Sequence, residues 1–249
     1  MSRFSFIATL SVIVGLADST LFAQTSPPAR TGIRKPTIAD TIRANVYADN
    51  SFKLYVNGEL VAVDSIAFVP HNVVSVDILP AYPMTIAVIA IDNADPKTGM
   101  EYANTNIGDG GFILKFGDGT VTNATWKAKK ISWGPVGGDT ENPRVESLPV
   151  PDNWFAVDFD DSSWSRAKEY TEEEVGPKEP FYEHDFKGAK FIWSDDVKLD
   201  NVVLFRTVIQ TPPDGKSRPD FRGLTDTAPA SPRRGDRNSQ RPRRSPETP

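Results

Sequence analysis

The chain has 249 residues, of which 39% are hydrophobic and 24% are charged, enough for one or two domains with a packed core. It has no cysteine and only two histidines, which excludes disulfides, a thiolate nucleophile, Cys-ligated metal centres and a multi-histidine metal site within one chain. The formal net charge of −5 gives no support to a generally basic nucleic-acid binder, so we expect no nucleic-acid partner. The 21 prolines and 17 glycines are typical of a loop-rich all-β module.

Residues 1–23 have the pattern of a secretory signal peptide. Arg3 precedes an apolar run from Phe4 to Leu16, and Ala23 offers a small residue for cleavage. This run is shorter than the roughly 20 residues of an ordinary membrane span, although an uncleaved anchor is the alternative. We therefore expect a secreted or cell-surface protein with no transmembrane segment in the mature chain.

The rest of the chain divides into three parts by composition. Residues 24–36 are polar and Pro-containing, which predicts a flexible lead-in, and residues 37–210 have a globular pattern. Residues 211–249 are rich in Pro and Arg and nearly devoid of aliphatic side chains, which predicts a disordered tail. The tail carries nine basic and five acidic residues, so its charge is +4 against −9 for the remainder. This asymmetry indicates either an electrostatic tether to an acidic surface, such as an anionic polysaccharide, or a solvated linker.

The globular part has the pattern of short strands separated by turns. Residues 52–56 alternate between apolar and polar, and Asn57-Gly58 supplies the two positive φ angles of a type I′ turn, which predicts a hairpin with 60–63. We expect further strands at 85–91, which is continuously apolar and so central, and at 112–116, 120–122, 124–131 and 202–209. Only 163–174 has a helical pattern. Many short strands with turns between them indicate a β-sandwich or a jelly roll.

Five stretches in chain order resemble the galactose-binding-like jelly-roll domains. They are ADNSFKLYVNG at 48–58, TWK at 125–127, FDDSSW at 159–164, FIW at 191–193 and LFR at 204–206. Such domains occur as accessory modules of secreted glycoside hydrolases and in bacterial surface proteins. The resemblance implies an all-β, jelly-roll β-sandwich over residues 37–210. Within it, we expect the large indoles of Trp126, Trp164 and Trp193 to be mostly structural.

Aromatic side chains near loops are the candidates for sugar binding, which needs a flat apolar face beside a few polar groups. Trp133 and Trp154 lie in or beside loops bounded by Pro and Gly, and the tyrosines with a similar setting are Tyr82, Tyr102 and Tyr182. The alternative is that the two tryptophans close the ends of the sandwich.

A structural calcium ion is the one cofactor that the sequence suggests. Galactose-binding-like folds often hold such an ion through carboxylates and backbone carbonyls, and the resemblance therefore implies a calcium site. Loops rich in oxygen ligands contain Asp92, Asn93, Asp95 and Asp109. The alternative is that these side chains only form Asx-turns.

Signals for catalysis are weak. Carboxylates such as Asp160 and Asp161 are adjacent in sequence, and adjacent strand residues point to opposite faces, so we assign no catalytic residue. The sequence contains no G-x-S-x-G elbow, P-loop or dinucleotide motif, and residues 108–111 (GDGG) precede a strand rather than a helix. His71 and His184 are expected to have surface or packing roles.

The sequence therefore predicts a secreted, non-catalytic carbohydrate-binding or cell-surface adhesion module. Its partner would be an extracellular glycan or cell-surface polymer. One alternative is a structural or assembly protein of the extracellular matrix or cell surface, which contacts another surface protein without binding sugar. A glycoside hydrolase is the least favoured interpretation.

Overall fold

A computed structural model of the chain describes residues 35–64 and 72–222. The predicted signal peptide, the predicted lead-in up to Arg34, His71 and residues 223–249 of the predicted tail lie outside the described residues.

Strands dominate the described part of the chain. In chain order they are β1 (Ile42–Asp49), β2 (Ser51–Val56), β3 (Glu59–Val63), β4 (Val73–Ile78), β5 (Met84–Ile91), β6 (Met100–Glu101), β7 (Asn106–Ile107), β8 (Gly111–Phe116), β9 (Lys127–Trp133), β10 (Glu146–Ser147), β11 (Ser165–Arg166), β12 (Lys168–Tyr170), β13 (Phe191–Trp193) and β14 (Asp200–Ile209). The helical segments are α1 (Glu172–Val175) and the 3₁₀ turns Ile38–Asp40, Val136–Gly138 and Phe181–Glu183. No helix in the described ranges has both the length and the apolar character needed to cross a membrane.

Two antiparallel sheets pack as a β-sandwich, which confirms the predicted all-β class. Sheet A has five strands in the order β12-β13-β8-β1-β4. Sheet B has seven strands, six of them in the order β10-β9-β14-β5-β2-β3, with β11 also paired to β9. Strands β6 and β7 form a separate two-stranded ribbon.

The hairpin and the central strand form where the sequence predicts them. Asn57 and Gly58 have φ angles of 50° and 85°, and they join β2 to β3. Glycine has no Cβ and so adopts this conformation without steric cost. Strand β5 lies between β14 and β2, and its continuous apolar run is buried on both faces.

The predicted helix at 163–174 is wrong. The middle of this stretch forms strands β11 and β12, and only its end, in α1, is helical, with Thr171 as the N-cap. Pairing of β12 with β13, which places Tyr170 opposite Phe191, overrides the local helical pattern.

The main core lies between the two sheets and contains large aromatic side chains. Trp126 and Trp193 of this core are 1% and 0% exposed, and Trp164 of the smaller core described next is 5% exposed, which confirms the prediction that all three are structural. The indole of Trp193 donates from Nε1 to the carbonyl of Asp200 at 2.7 Å, so its polar atom is satisfied inside the core. The rings of Phe112 and Phe205 stack across the two sheets with centroids 5.2 Å apart.

A second, smaller core lies on the other side of sheet B. Residues 148–164 cross that face, and the buried side chains of this core are Ala87, Ile131, Trp154, Trp164 and Leu204. Trp154 and Trp164 thus cover a sheet face that would otherwise be open to solvent.

Residues 211–222, the described part of the predicted tail, contain no strand or helix. They contact the sandwich at the carbonyl of Tyr82, which accepts from Arg222 Nη2 at 2.9 Å. Within this segment Arg218 Nη2 pairs with Asp214 Oδ2 at 2.6 Å.

Candidate functional site

Four carboxylates meet at one end of the sandwich, and we call them the acidic cluster: Asp49, Asp92, Glu101 and Asp109. Asp49 is the last residue of β1, Asp92 follows β5, and Glu101 ends β6. Asp109 lies just before β8, whose first residue pairs in register with Asp49. Two chain segments, the β1–β2 turn and the connection from β5 to β8, therefore deliver acidic side chains to the same end of the fold.

Three members of the acidic cluster are almost fully buried. Asp49, Asp92 and Glu101 are 2%, 3% and 7% exposed, whereas Asp109 lies at the surface. Burial of a carboxylate without a counter-charge favours the protonated form. Burial first, and then the charges of Asp109 and Glu101, raise the pKa of Asp49 to about 8. Burial and then contact with the Glu101 carboxyl raise the pKa of Asp92 well above its ordinary value.

Asp109 lies at the edge of the acidic cluster, and its pKa is shifted in the same direction as the pKa values of Asp49 and Asp92. Burial first, and then the charge of Glu101, raise the pKa of Asp109, while Lys178 and Lys198 act in the opposite direction. The positive charges of these two lysines therefore offset part of the increase in the pKa of Asp109.

The carboxyl of Asp92 lies against Gly108 and contacts the Glu101 carboxyl. Its Oδ2 has no hydrogen-bond partner among the described residues. A Cβ at Gly108 would overlap that oxygen, so only glycine leaves room for the carboxyl there. Two residues on, a Cβ at Gly110 would lie 2.6 Å from the indole of Trp193. The GDGG stretch therefore allows close packing around Asp92 and Trp193, which agrees with its interpretation as a loop before a strand.

The predicted calcium ligands are only partly brought together. Asp92 and Asp109 both belong to the acidic cluster. Asn93 takes part through its backbone N–H, which donates to Asn50 Oδ1. Asp95 instead accepts from the backbone N–H of Lys97 at 2.7 Å, which is the Asx-turn role left open by the sequence.

Sequence reasoning missed two members of the cluster, Asp49 and Glu101. Asp49 is the last residue of β1, a strand whose pattern did not stand out, and Glu101 lies in a two-residue strand that carries no periodic signal. Within residues 35–64 and 72–222, no three Asp, Glu, Cys or His side chains stand in an arrangement that could hold a metal ion, so the predicted calcium site is not found there.

The structure corrects the prediction that Trp154 offers a sugar-binding face. Trp154 is 5% exposed, and the rings of Tyr55 and Phe155 contact it edge-on with centroids 5.6 and 5.9 Å away. Trp154 is therefore a packing residue of the second core, although it covers a face of sheet B and does not close an end of the sandwich.

The candidate tyrosines lie on separate elements. Tyr82 is half-buried, and its hydroxyl donates to Asp118. Tyr102 follows β6 and is exposed, and Tyr182 lies in the 3₁₀ turn Phe181–Glu183 with 58% exposure. Tyr102 and Tyr182 are therefore open to solvent, whereas Tyr82 is only partly so. Tyr102 directly follows Glu101 of the acidic cluster in the sequence.

Among the candidate aromatic residues, Trp133 lies beside a charged side chain that is itself held in place by an ion pair. It is the last residue of β9 and is partly exposed. The Nζ of Lys130 lies 5.0 Å from the centre of its ring and 3.2 Å from Oδ1 of buried Asp200. Because Lys130 is held by both contacts, the indole stands beside a fixed positive charge.

A hollow of about 210 Å³ adjoins this lysine, and we call it the β9 hollow. Its polar lining consists of Lys129, Lys130, Ser163, Ser165, Arg166, Ser194 and Asp195. The Arg166 guanidinium is oriented by a 3.0 Å hydrogen bond from Nη1 to the carbonyl of Thr125. Hydroxyls and cations in a small concave surface suit a polar, negatively charged ligand. Comparisons of the chain with protein-family models, with curated proteins and with solved structures find no match.

Proposed function

We propose that the protein is a secreted, non-catalytic carbohydrate-binding module of galactose-binding-like, jelly-roll type, which binds an extracellular glycan at the β9 hollow. The observation that carries this proposal is the position of Trp133. It is a partly exposed indole beside Lys130, and Lys130 also lines the hollow. The other four tryptophans are at most 5% exposed, so their rings are committed to packing.

The chemistry of the hollow favours an acidic glycan over a neutral one. Lys129 and Arg166 present cations at the lining, and serine hydroxyls can exchange hydrogen bonds with sugar hydroxyls. Carboxylate or sulfate groups on the polymer would form charge-assisted hydrogen bonds with these cations, which are stronger than neutral ones. The predicted tail, at +4, would add a longer-range attraction to the same polymer.

Retention on immobilised polysaccharides tests this function. We expect the protein to be retained at low salt on a uronic-acid or sulfated polysaccharide more strongly than on a neutral one. Trp133→Ala should weaken retention by roughly tenfold, as expected for loss of one aromatic contact. Tyr182→Ala, which removes an exposed aromatic elsewhere on the surface, is the matched control and should leave retention unchanged. Failure of every acidic polysaccharide to retain the wild type would contradict the proposal.

A second candidate function, a structural or assembly protein, is favoured by one surface. An apolar groove of about 450 Å³ lies along the edge strands β3 and β4 and is lined by Val56, Val61, Val76, Ile78 and Leu79. Leu60 beside it is 52% exposed. Exposed edges with apolar side chains are surfaces that other proteins can cover. A stable oligomer that Leu60→Lys dissociates, measured by light scattering, would support this alternative.

A further inference from the structure

We propose that the β9 hollow is the middle of a longer binding surface, the β9 track, which takes a linear glycan with repeating carboxylate or sulfate groups along its chain. The β9 track consists of Lys127, Lys129, Lys130, Trp133 and Arg166. This rests on the proposed function, since it names the class of glycan and the way in which that glycan lies on the protein. It follows from strand pairing, charge and hydrogen bonding in the described residues.

Strand β9 has an edge that other strands cover only at its two ends. Its first two residues pair with β11, and its last two pair with β10. Between them, Lys129 and Lys130 line the β9 hollow. Because a strand rises about 3.3 Å per residue, Lys127 and Trp133 lie roughly 20 Å apart along β9. A ligand that contacts both is longer than one sugar ring and follows the strand.

Two cations face each other directly across the β9–β11 pair. Arg166 of β11 is in register with Lys127 of β9. Like charges directly opposite each other destabilise a pair of strands, so this arrangement is unfavourable for the fold alone. An anion bound between the two side chains would form charge-assisted hydrogen bonds with both and would neutralise their repulsion.

These two cations are held in place but keep N–H groups for a ligand. Lys127 Nζ donates to the carbonyl of Trp164 at 3.0 Å, and Arg166 Nη1 donates to the carbonyl of Thr125 at 3.0 Å. An ammonium and a guanidinium each carry several N–H donors, so one backbone bond leaves others for carboxylate or sulfate oxygens. Trp164 itself lines the β9 hollow, which places the Lys127 ammonium beside it.

Positive charge exceeds negative charge along the β9 track. Among the described residues, Lys127, Lys129 and Arg166 form no salt bridge with a carboxylate. In the same part of the chain, Asp195 is the one acidic residue that lines the β9 hollow. The whole chain has a net charge of −5, so this excess of cations is local. Repeating anionic groups on one polymer match it better than a single anion does, because each cation can bind its own group.

A single-stranded nucleic acid is the other linear polyanion that could follow such a row of cations. Proteins that bind it stack successive bases on several aromatic side chains. The β9 track contains one aromatic side chain, that of Trp133, and the hydroxyls of Ser163, Ser165 and Ser194 line the hollow. One apolar face with several hydroxyls suits sugar rings, so the residues favour a glycan.

Titration of the full-length protein with size-fractionated heparin and oligogalacturonide fragments, followed by tryptophan emission, tests the β9 track. We expect the affinity to rise by roughly tenfold or more from disaccharide to octasaccharide, because further anionic groups reach further cations. Lys127→Gln should weaken octasaccharide binding by roughly three- to fivefold, as for loss of one accessible ion pair, and should leave disaccharide binding almost unchanged. The salt dependence of octasaccharide binding should also become shallower, which loss of a purely structural contact would not cause.

Lys129→Gln is the second variant. It should likewise make the salt dependence shallower, and it replaces Lys127→Gln if that variant fails to fold. Lys53→Gln, which removes an exposed cation from β2 of the same sheet, is the control and should bind every fragment as the wild type does. The basic tail is present in all variants, so differences between them belong to the β9 track.

Equal affinity for the disaccharide and the octasaccharide, with both lost in Trp133→Ala, would mean that the hollow binds the end of a chain. That result would overturn the β9 track and leave glycan binding in place. Stronger binding of single-stranded oligothymidylate than of the octasaccharide would also overturn it, because the polyanion would then be a nucleic acid. A wild type that binds no fragment of any length would contradict both the β9 track and the proposed function.

Discussion

Arg206 and Asp161 form an ion pair in which Nε donates to Oδ2 at 2.9 Å, and this contact fastens the segment 148–164 to sheet B. The Arg206 side chain is 1% exposed. Its Nη1 also donates to the carbonyls of Trp154 and, at 3.1 Å, Ala156. One guanidinium thus satisfies acceptors along a segment that has almost no secondary structure of its own.

Removing this guanidinium should destabilise the fold strongly. Arg206→Met leaves Asp161 and two carbonyls without their donor, and loss of one partner from such a buried pair typically costs about 3–5 kcal/mol. Urea unfolding followed by tryptophan fluorescence measures the free energy of unfolding. Arg166→Met removes an exposed arginine with one backbone hydrogen bond and should cost less than about 1 kcal/mol. Equal losses in the two variants would contradict the role assigned to Arg206.

Gly108→Ala should destabilise the acidic end of the sandwich. The added Cβ would overlap Asp92 Oδ2, so the carboxyl or the chain must move. We expect a loss of about 1–3 kcal/mol, the usual cost of overpacking. Gly117→Ala is the matched control, because its Cβ would lie 3.6 Å from the nearest backbone atoms of Arg43, an ordinary contact. Similar stability for both variants would show that Asp92 is not confined by Gly108.

The stability of the protein should fall as the pH rises from about 5 to about 8. The pKa of Asp49 is about 8 in the folded protein, against roughly 3.9 when unfolded, so between these values the folded state holds the extra proton. Stability is therefore greatest at acidic pH and is lost towards the folded pKa, by at most about 1.4 kcal/mol per pH unit for this group.

Asp49→Asn provides the control for that pH dependence, because its amide oxygen can still accept from Asn50. Urea unfolding of this variant should show a shallower decline of stability over the same pH range. A wild-type stability that is flat or rises between pH 5 and pH 8 would contradict the assignment of a protonated Asp49.

The fold class could be predicted from sequence because its signals are local. Asn57-Gly58 specifies its own turn, and a continuous apolar run such as β5 can only be a buried element. The helical pattern at 163–174 misled because Trp164 and Tyr170 are buried by partners distant in sequence. Trp164 packs against sheet B, and Tyr170 lies on β12, which pairs with β13.

The candidate sites were less accessible to sequence reasoning. Asp92 and Asp109 could be found because they lie in oxygen-rich loops. Asp49 and Glu101 join them only through strand register and the path of the ribbon β6–β7, which no local pattern encodes. For the same reason, the sequence could not distinguish partly exposed Trp133 from buried Trp154.

Fluorescence titration with a soluble acidic oligosaccharide tests the glycan-binding claim most directly. All five tryptophans lie in the described ranges, and Trp133 alone among them is partly exposed, so it should report the ligand. We predict a saturable change in emission that weakens with added salt and disappears in Trp133→Phe, while the far-ultraviolet circular dichroism spectrum of that variant stays unchanged. No change in the wild type with any acidic oligosaccharide, or the same change in Trp133→Phe, would contradict the claim.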